Sequence, residues 1–245
     1  MVQELDEIRK TLFAWLIVFF AFAIFLFFFN IKKGLPVFST DSISLTLFQK
    51  IYSDLVPKDI KLLITNPFNV LFVQIQVSLF FAFLLSLPVF LYRVTSYLSS
   101  ALKKEEKKAL KMSIIPSILL FFTGCLFAYF FLIPFTLRFM NIYVTSFEAA
   151  TYFEINEFIS FVLALILTSG LAFTLPIFMR TLSSLGLIDS AFWIRNFKYS
   201  LIAIVIFTAI ITPDGTGVTM LMLSIPLISL YLLGWLLSKG VSYGT

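Results

Sequence analysis

The sequence has no histidine, a single cysteine and few charged residues. Of its 245 residues 13% are charged and 60% hydrophobic, whereas soluble domains carry about 25% charged residues. The absence of histidine excludes histidine-based acid–base catalysis, Ser-His-Asp triads and the HExxH zinc motif. Cys125 alone forms neither an internal disulfide nor a metal site, and neither a Walker loop nor a Gly-x-Ser-x-Gly elbow occurs. We therefore expect no enzyme and no metal or cofactor.

Six long apolar stretches take up most of the chain. About 20 apolar residues in a helix cross a hydrocarbon core of about 30 Å, and a helix satisfies its own backbone hydrogen bonds there. The predicted spans are residues 12–30, 70–91, 112–135, 158–179, 199–212 and 218–237. The sequence thus predicts an all-α integral membrane protein of six transmembrane helices, forming a single membrane domain over residues 1–245. The fifth span is short, which predicts a shallow hairpin with the sixth.

The distribution of Lys and Arg predicts the orientation of these spans. Positive residues are retained on the cytoplasmic side, and an N-terminus inside the cell leaves twelve of them in inner segments and six in outer ones. Both termini are therefore predicted to be cytoplasmic, although Lys32 and Lys33 locally oppose the rule. The net charge of +5 follows from this topology, so nucleic-acid binding is not expected. Acidic residues before the first span favour a retained helix over a cleaved signal peptide.

The longer outer connections predict small periplasmic helical caps. Apolar residues recur with helical spacing from Ile43 to Leu55, and Pro57 marks the end of that pattern. An amphipathic helix on the outer surface is the interpretation. The 142–157 connection is predicted to form a second, shorter cap.

The interiors of the spans contain almost no charge, which argues against a proton relay through titrating side chains. Gln74 and Gln76 in the second span are two residues apart and therefore lie on different helix faces. The spans instead carry proline and small polar residues, which let helices bend and approach closely. A short repeat between residues 87–91 and 175–179 is too weak to predict a transporter.

Acidic and basic residues crowd together on the predicted inner face. Glu4, Asp6 and Glu7 precede the first span, and the run from Lys103 to Lys108 separates the second from the third. Taken alone, such runs are interpreted as solvated helix ends with i, i+4 ion pairs.

Five motifs in order resemble the TatC family, the TatC subunit of the twin-arginine translocase, from end to end. In this family the signatures are H-L-x-E-L-R-x-R-L, an aromatic residue nine positions before a glutamate in the first inner loop, G-x-x-F-x-Y-F…P, G-x-x-F-E-x-P and a fifth-to-sixth-span hairpin. The corresponding stretches here are Glu4–Leu12, Tyr97–Leu102 with Glu106–Lys108, Gly124–Phe130 with Pro134, Gly170–Pro176, and Thr212–Asp214 with Ile225–Leu227.

The resemblance implies a receptor that binds twin-arginine signal peptides at the cytoplasmic face and scaffolds partner subunits for export of folded proteins driven by the proton gradient. Glu7 and Glu106 are the implied ligands, with Glu105 as a substitute, Arg9 in the signature and Tyr97 as a wall of the groove. A carboxylate accepts the planar fork of a guanidinium bidentately, whereas a lysine ammonium is a point charge.

The resemblance also implies partners and a location. The partners are single-span subunits of the TatA/TatB type, signal peptides of folded cargo, the lipid bilayer and further copies in a homo-oligomeric assembly. The location is the prokaryotic plasma (inner) membrane. The structural or partner-binding positions are Pro88, Gly124, Pro134, Thr174, Pro176, Pro213 and Asp214.

The sequence departs from the family pattern mainly within the bilayer. Thr174 stands at the fourth-span glutamate, and the glutamine after the Pro-Asp turn is missing; outside the bilayer, Glu4, Thr11 and Ser100 replace a histidine, a basic residue and a proline. The resemblance implies that intramembrane polar groups seat partner subunits, so these departures bear on partner affinity or stoichiometry. Two alternatives stay open: a small secondary transporter, and a degenerate paralogue that scaffolds membrane complexes without export.

Overall fold

The computed structural model describes residues 2–29, 42–56, 61–98, 104–146, 152–211 and 217–240. Contacts between Cα atoms divide the chain into two units. The first unit comprises Met1–Tyr97 with Leu137–Leu163, and the second comprises Leu98–Thr136 with Ala164–Thr245. The single membrane domain over residues 1–245 stays a prediction.

Helices account for nearly all of the described residues. In chain order they are α1 (Val2–Phe28), α2 (Ile43–Leu55), α3 (Phe68–Leu98), α4 (Lys104–Met112), α5 (Ile114–Phe127), α6 (Ile133–Thr145), α7 (Ile155–Phe173), α8 (Leu175–Ser184), α9 (Ser190–Arg195), α10 (Phe197–Ile211) and α11 (Val218–Lys239). A π-helical turn, Ala128–Leu132, joins α5 to α6, and two short strands are present, β1 (Lys61–Leu63) and β2 (Tyr152–Glu154).

Apolar helices coincide with the predicted spans. Within the described ranges, five helical stretches are long and apolar enough to cross a membrane: Arg9–Phe28, Phe68–Tyr97, Lys107–Thr145, Ile155–Ser184 and Val218–Lys239. The apolar helix Phe197–Ile211 is shorter, as the fifth predicted span is. The all-α, multi-pass membrane fold is therefore confirmed, while the orientation and the hairpin turn at residues 212–215, which lie outside the described residues, stay predictions.

In the first unit α1 packs against α3. Ala23 and Leu26 of α1 are buried together with Ala82 of α3. The indole of Trp15 donates a hydrogen bond to Ser86 Oγ (3.2 Å), and its ring centroid lies 4.8 Å from that of Phe90. Large apolar side chains thus hold these two helices together, with a polar bond at one crossing.

The amphipathic outer helix predicted from Ile43 to Leu55 is present as α2. Ser42 caps its N-terminus by accepting a hydrogen bond from the Leu45 N–H, which satisfies one of the free donors of the first turn. Ile51 and Leu55 are buried, and the helix ends at Leu55, two residues before Pro57, which disfavours helical backbone at the residue before it.

A parallel β-ribbon lies on this unit, where helical caps alone were expected. Strand β1 pairs with β2 in the register Lys61 to Tyr152 and Leu63 to Glu154. The second cap was predicted over residues 142–157. The described residues of that range belong to the end of α6, to β2 and to the start of α7. A strand therefore leads into α7 at the position where the second cap was predicted.

Close contacts between helices characterise the second unit. A Cβ atom added to Gly234 of α11 would lie 2.9 Å from Pro176 Cα of α8, so the backbones of these helices almost touch. Helices α10 and α11 are joined by a buried hydrogen bond of 2.8 Å between the hydroxyls of Thr208 and Ser224. The Tyr231 hydroxyl donates to the Trp193 carbonyl (2.8 Å), which ties α11 to α9.

Candidate functional site

The three carboxylates predicted to bind a ligand lie near the N-terminal ends of two helices. Glu7 lies in the second turn of α1, in the first unit, and Glu105 and Glu106 lie in the first turn of α4, in the second unit. A helix N-terminus carries partial positive charge, which favours carboxylates in its first turn. Their side chains lie outside the described part of the structure, so the pairing of Glu7 with Glu106 stays a prediction.

Basic side chains of α4 are turned to the outside. Lys104, Lys107, Lys108 and Lys111 are all exposed, and Lys111 lies in the last turn, where the helix dipole favours a cation. Exposed ammonium groups at the end of a membrane span are available to lipid phosphates.

Among the predicted site residues, Arg9 and Tyr97 have side chains that the structure describes. Arg9 is exposed and lies two residues after Glu7 on α1. Tyr97 is half-buried near the end of α3. Both belong to the first unit, whereas Glu105 and Glu106 belong to the second.

Thr174, which stands where the family pattern has a glutamate, lies at the break between α7 and α8. Its N–H and its hydroxyl both donate to the Leu171 carbonyl, at 3.1 Å and 2.6 Å. Pro176 lacks an N–H and interrupts the helical ladder there. The Thr174 hydroxyl proton is thus used within its own chain segment, and this position has no charge to offer a partner.

Gly124 lies where α5 crosses α7. Ser169 Oγ donates to the Gly124 carbonyl (3.0 Å), and an added Cβ would lie 2.6 Å from the Ser169 carbonyl oxygen and 2.8 Å from Phe173 Cβ. Only glycine permits this approach. Ten residues later Pro134 follows the π-helical turn, in which the Ile133 N–H bonds to the Ala128 carbonyl five residues back.

Of the three remaining positions that were predicted to be structural or partner-binding, the structure describes one. Pro88 lies inside α3 and is half-buried. Pro213 and Asp214 lie outside the described residues, so their predicted partner role stays a prediction.

Two glutamines of α3 anchor other elements of the first unit, which sequence reasoning did not foresee. Gln74 is buried and donates to Ser42 Oγ (3.1 Å) and to a main-chain carbonyl of α1 (3.2 Å). Gln76 donates to Asn156 Oδ1 and Ser160 Oγ of α7, both at 3.1 Å. The prediction that the two glutamines lie on different faces is confirmed. The spacing of two residues predicted the two helix faces, but the sequence around the glutamines did not predict their hydrogen-bond partners.

A second polar cluster joins the ribbon to α3. Glu154 at the end of β2 accepts hydrogen bonds from Thr65 Oγ1 (2.6 Å) and from Asn69 Nδ2. Glu154 is thereby held as an acceptor at the start of α7, which makes it part of the framework of the first unit.

The described residues offer no metal centre. Among them no three His, Cys, Asp or Glu residues lie close enough to hold a metal ion. Cys125 is buried, and a Cβ on Gly170 would lie 2.8 Å from its Sγ.

The chain resembles known proteins over almost its entire length. Residues 3–226 match the family model described as Sec-independent protein translocase protein (TatC). The chain is 37% identical to the TatC of Cenarchaeum symbiosum over 180 residues, covering 74% of this chain and 68% of that protein. It is 30% identical to TatCy of Bacillus subtilis over 244 residues, covering 98% and 89%. A crystal structure of the twin arginine translocase receptor TatC, determined in DDM, superposes with a TM-score of 0.81 at 30% identity, covering 96% and 99%.

Proposed function

This chain belongs to the TatC family of Sec-independent protein translocases, and we propose that it is the receptor subunit that binds twin-arginine signal peptides. The observation that carries the proposal is its likeness, over 96% of its length, to the twin arginine translocase receptor. The chain is a multi-pass membrane protein. We place it in the plasma membrane of a prokaryote, with both termini and the ends of α1 and α4 on the cytoplasmic side.

Binding at this face depends on the geometry of guanidinium groups. A signal peptide with adjacent arginines presents two planar forks, and Glu7 and Glu106 each accept one of them bidentately. The exposed lysines of α4 point to lipid phosphates and leave the carboxylates to the peptide. Glu105 substitutes for Glu106 in part, and Tyr97 forms an aromatic wall of the groove. A twin-lysine peptide offers only point charges and binds more weakly.

Export requires subunits beyond this chain. We propose that single-span subunits of the TatA/TatB type assemble on its spans, that several copies join in one complex, and that the proton gradient supplies the energy. Thr174 carries no charge and uses its hydroxyl proton within α7, so the seating of these subunits relies on packing at this position. Pro213 and Asp214 are the proposed contacts on the fifth-to-sixth-span hairpin.

Crosslinking of signal peptides tests the receptor function. Twin-arginine and twin-lysine peptides with a photoreactive group are applied at limiting concentration to membranes with wild type, Glu7→Ala, Glu106→Ala and Glu157→Ala. Hydrogen bonds to charged groups contribute about 1.5–3 kcal/mol, so each of the first two variants is expected to lose about tenfold or more of the twin-arginine labelling. Glu157 is an exposed acid in the first turn of α7 and is the matched control.

The comparison of the two peptides separates recognition from general binding. In wild type the twin-arginine peptide is expected to label more strongly than the twin-lysine peptide, and this preference is expected to shrink in Glu7→Ala and Glu106→Ala. Equal labelling by both peptides in wild type and in all three variants contradicts the receptor assignment. An equal loss in Glu157→Ala contradicts the choice of site.

A further inference from the structure

A cavity of about 460 Å³ lies within the second unit, between the α4–α5 junction, α8 and the end of α11. Ala109, Met112 and Pro116 form one wall, and their spacing of three and four residues places them on a single helix face. Ile177 of α8 and Gly240 after α11 contribute to the other sides. Most of the lining is therefore apolar.

The polar part of the lining is concentrated around Arg180. Thr181 Oγ1 donates to Ser113 Oγ (2.8 Å), and Ser113 Oγ in turn donates to the Ala109 carbonyl (3.0 Å), so these groups already have partners. Arg180 lines the cavity and is exposed. Among the described residues no carboxylate forms an ion pair with it. Arg180 thus brings a positive charge to the lining of the cavity.

Further cations adjoin the cavity in sequence. Lys111 precedes the lining residue Met112 and is exposed. Lys239 precedes the lining residue Gly240, and its Nζ lies 3.9 Å from the centroid of the Trp235 ring. Together with Arg180 they place three positive groups at the ends of three apolar helical stretches. Cations at the ends of spans are placed to meet lipid headgroups.

We propose that this cavity binds the headgroup of an anionic phospholipid, with Arg180 on the phosphodiester and the apolar wall beside the first part of an acyl chain. Basic pockets between spans bind such headgroups, and a guanidinium donates two parallel N–H hydrogen bonds to two phosphate oxygens in one plane. A zwitterionic headgroup brings its own cation toward the lysines and is disfavoured. A twin-arginine peptide is excluded for the same reason, so this lipid site is distinct from the receptor site proposed above.

Native mass spectrometry of the full chain tests this proposal. The protein is released from detergent with equal amounts of phosphatidylglycerol and phosphatidylcholine, as wild type, Arg180→Gln and Arg195→Gln. Arg195 is an exposed arginine of α9 in the same unit that does not line the cavity. One cation near the surface contributes about 1 kcal/mol to binding of an anionic lipid. The ratio of phosphatidylglycerol to phosphatidylcholine adducts is therefore expected to fall about fivefold in Arg180→Gln and to stay unchanged in Arg195→Gln.

Two further experiments extend this test. One uses a variant that keeps Arg180, in case Arg180→Gln does not fold, and the other distinguishes a lipid headgroup from a free anion. Ala109→Phe fills the cavity and keeps Arg180, and it is expected to lose the phosphatidylglycerol adduct; a wild-type ratio in this variant overturns the proposal. Inorganic phosphate in millimolar amounts is expected to leave the adduct in place, whereas displacement identifies a site for free phosphate. Equal retention of both lipids by wild type, or equal losses in the two arginine variants, also overturns the proposal.

Discussion

The contact at Gly124 predicts a measurable cost for the smallest possible substitution. In Gly124→Ala the new methyl group would lie 2.6 Å from the Ser169 carbonyl oxygen and 2.8 Å from Phe173 Cβ. The nearest of these atoms belongs to the backbone, so no rotamer change relieves the clash. Helices α5 and α7 must separate locally, which lengthens the hydrogen bond from Ser169 Oγ to the Gly124 carbonyl.

Three free-energy terms set the magnitude. Overpacking of a buried contact costs about 1–3 kcal/mol, and a lost intramolecular hydrogen bond about 0.5–1.5 kcal/mol. Alanine gains up to about 1 kcal/mol of helix propensity over glycine. The expected net change is a destabilisation of about 1–3 kcal/mol, or roughly 2–10 °C in Tm for a chain of this size.

Thermal unfolding in one detergent measures this change, with Gly240→Ala as the control. A Cβ on Gly240 meets its nearest atom, the Leu237 carbonyl oxygen, at 3.7 Å, so that variant is expected to stay within about 0.5 kcal/mol of wild type. If Gly124→Ala unfolds at the same temperature as Gly240→Ala, the close crossing of α5 and α7 is refuted.

Three further substitutions and modifications probe other contacts. Gln74→Leu removes one buried and one partly buried hydrogen bond, so we expect a loss of about 1–3 kcal/mol and faster proteolysis of α2. Equal proteolysis in Gln76→Leu, whose two bonds are partly buried and exposed, argues against that anchor. Tyr231→Phe removes the hydroxyl that donates to the Trp193 carbonyl and is expected to cost about 0.5–1.5 kcal/mol in thermal unfolding; unchanged stability disproves a role for this bond. Cys125 is 7% exposed, so a maleimide should label it only after denaturation in SDS, and rapid labelling of the native protein contradicts its burial.

The spans and the outer helix were predictable because their signals are local. A helix that crosses lipid must be long and apolar, so the six stretches could be identified without knowledge of their neighbours. The sequence of α2 shows apolar residues at helical spacing and a proline, Pro57, that predicts the end of the helix. The helix ends at Leu55. In each case the physical cause lies within the segment itself.

Features that depend on distant partners were not predictable from local signals. Strands β1 and β2 contain three residues each and pair across about 90 positions, and such short runs show no alternation to detect. The motif predicts that Glu7 and Glu106 belong to one site, but neither local segment carries a signal for the partner of its carboxylate. The cavity at Arg180 arises only where α4, α8 and α11 converge.

The π-helical turn between Gly124 and Pro134 makes this stretch tolerant of a change in chain length. A π-turn holds one residue more than an α-helical turn, so the flanking helices keep their packed faces despite the extra residue. Phe130 and Phe131 lie within the turn and are 62% and 68% exposed. Deleting one of them would convert the segment into continuous α-helix without rotating the crossing at Gly124 away from α7, so homologues one residue shorter here can retain the same arrangement of helices.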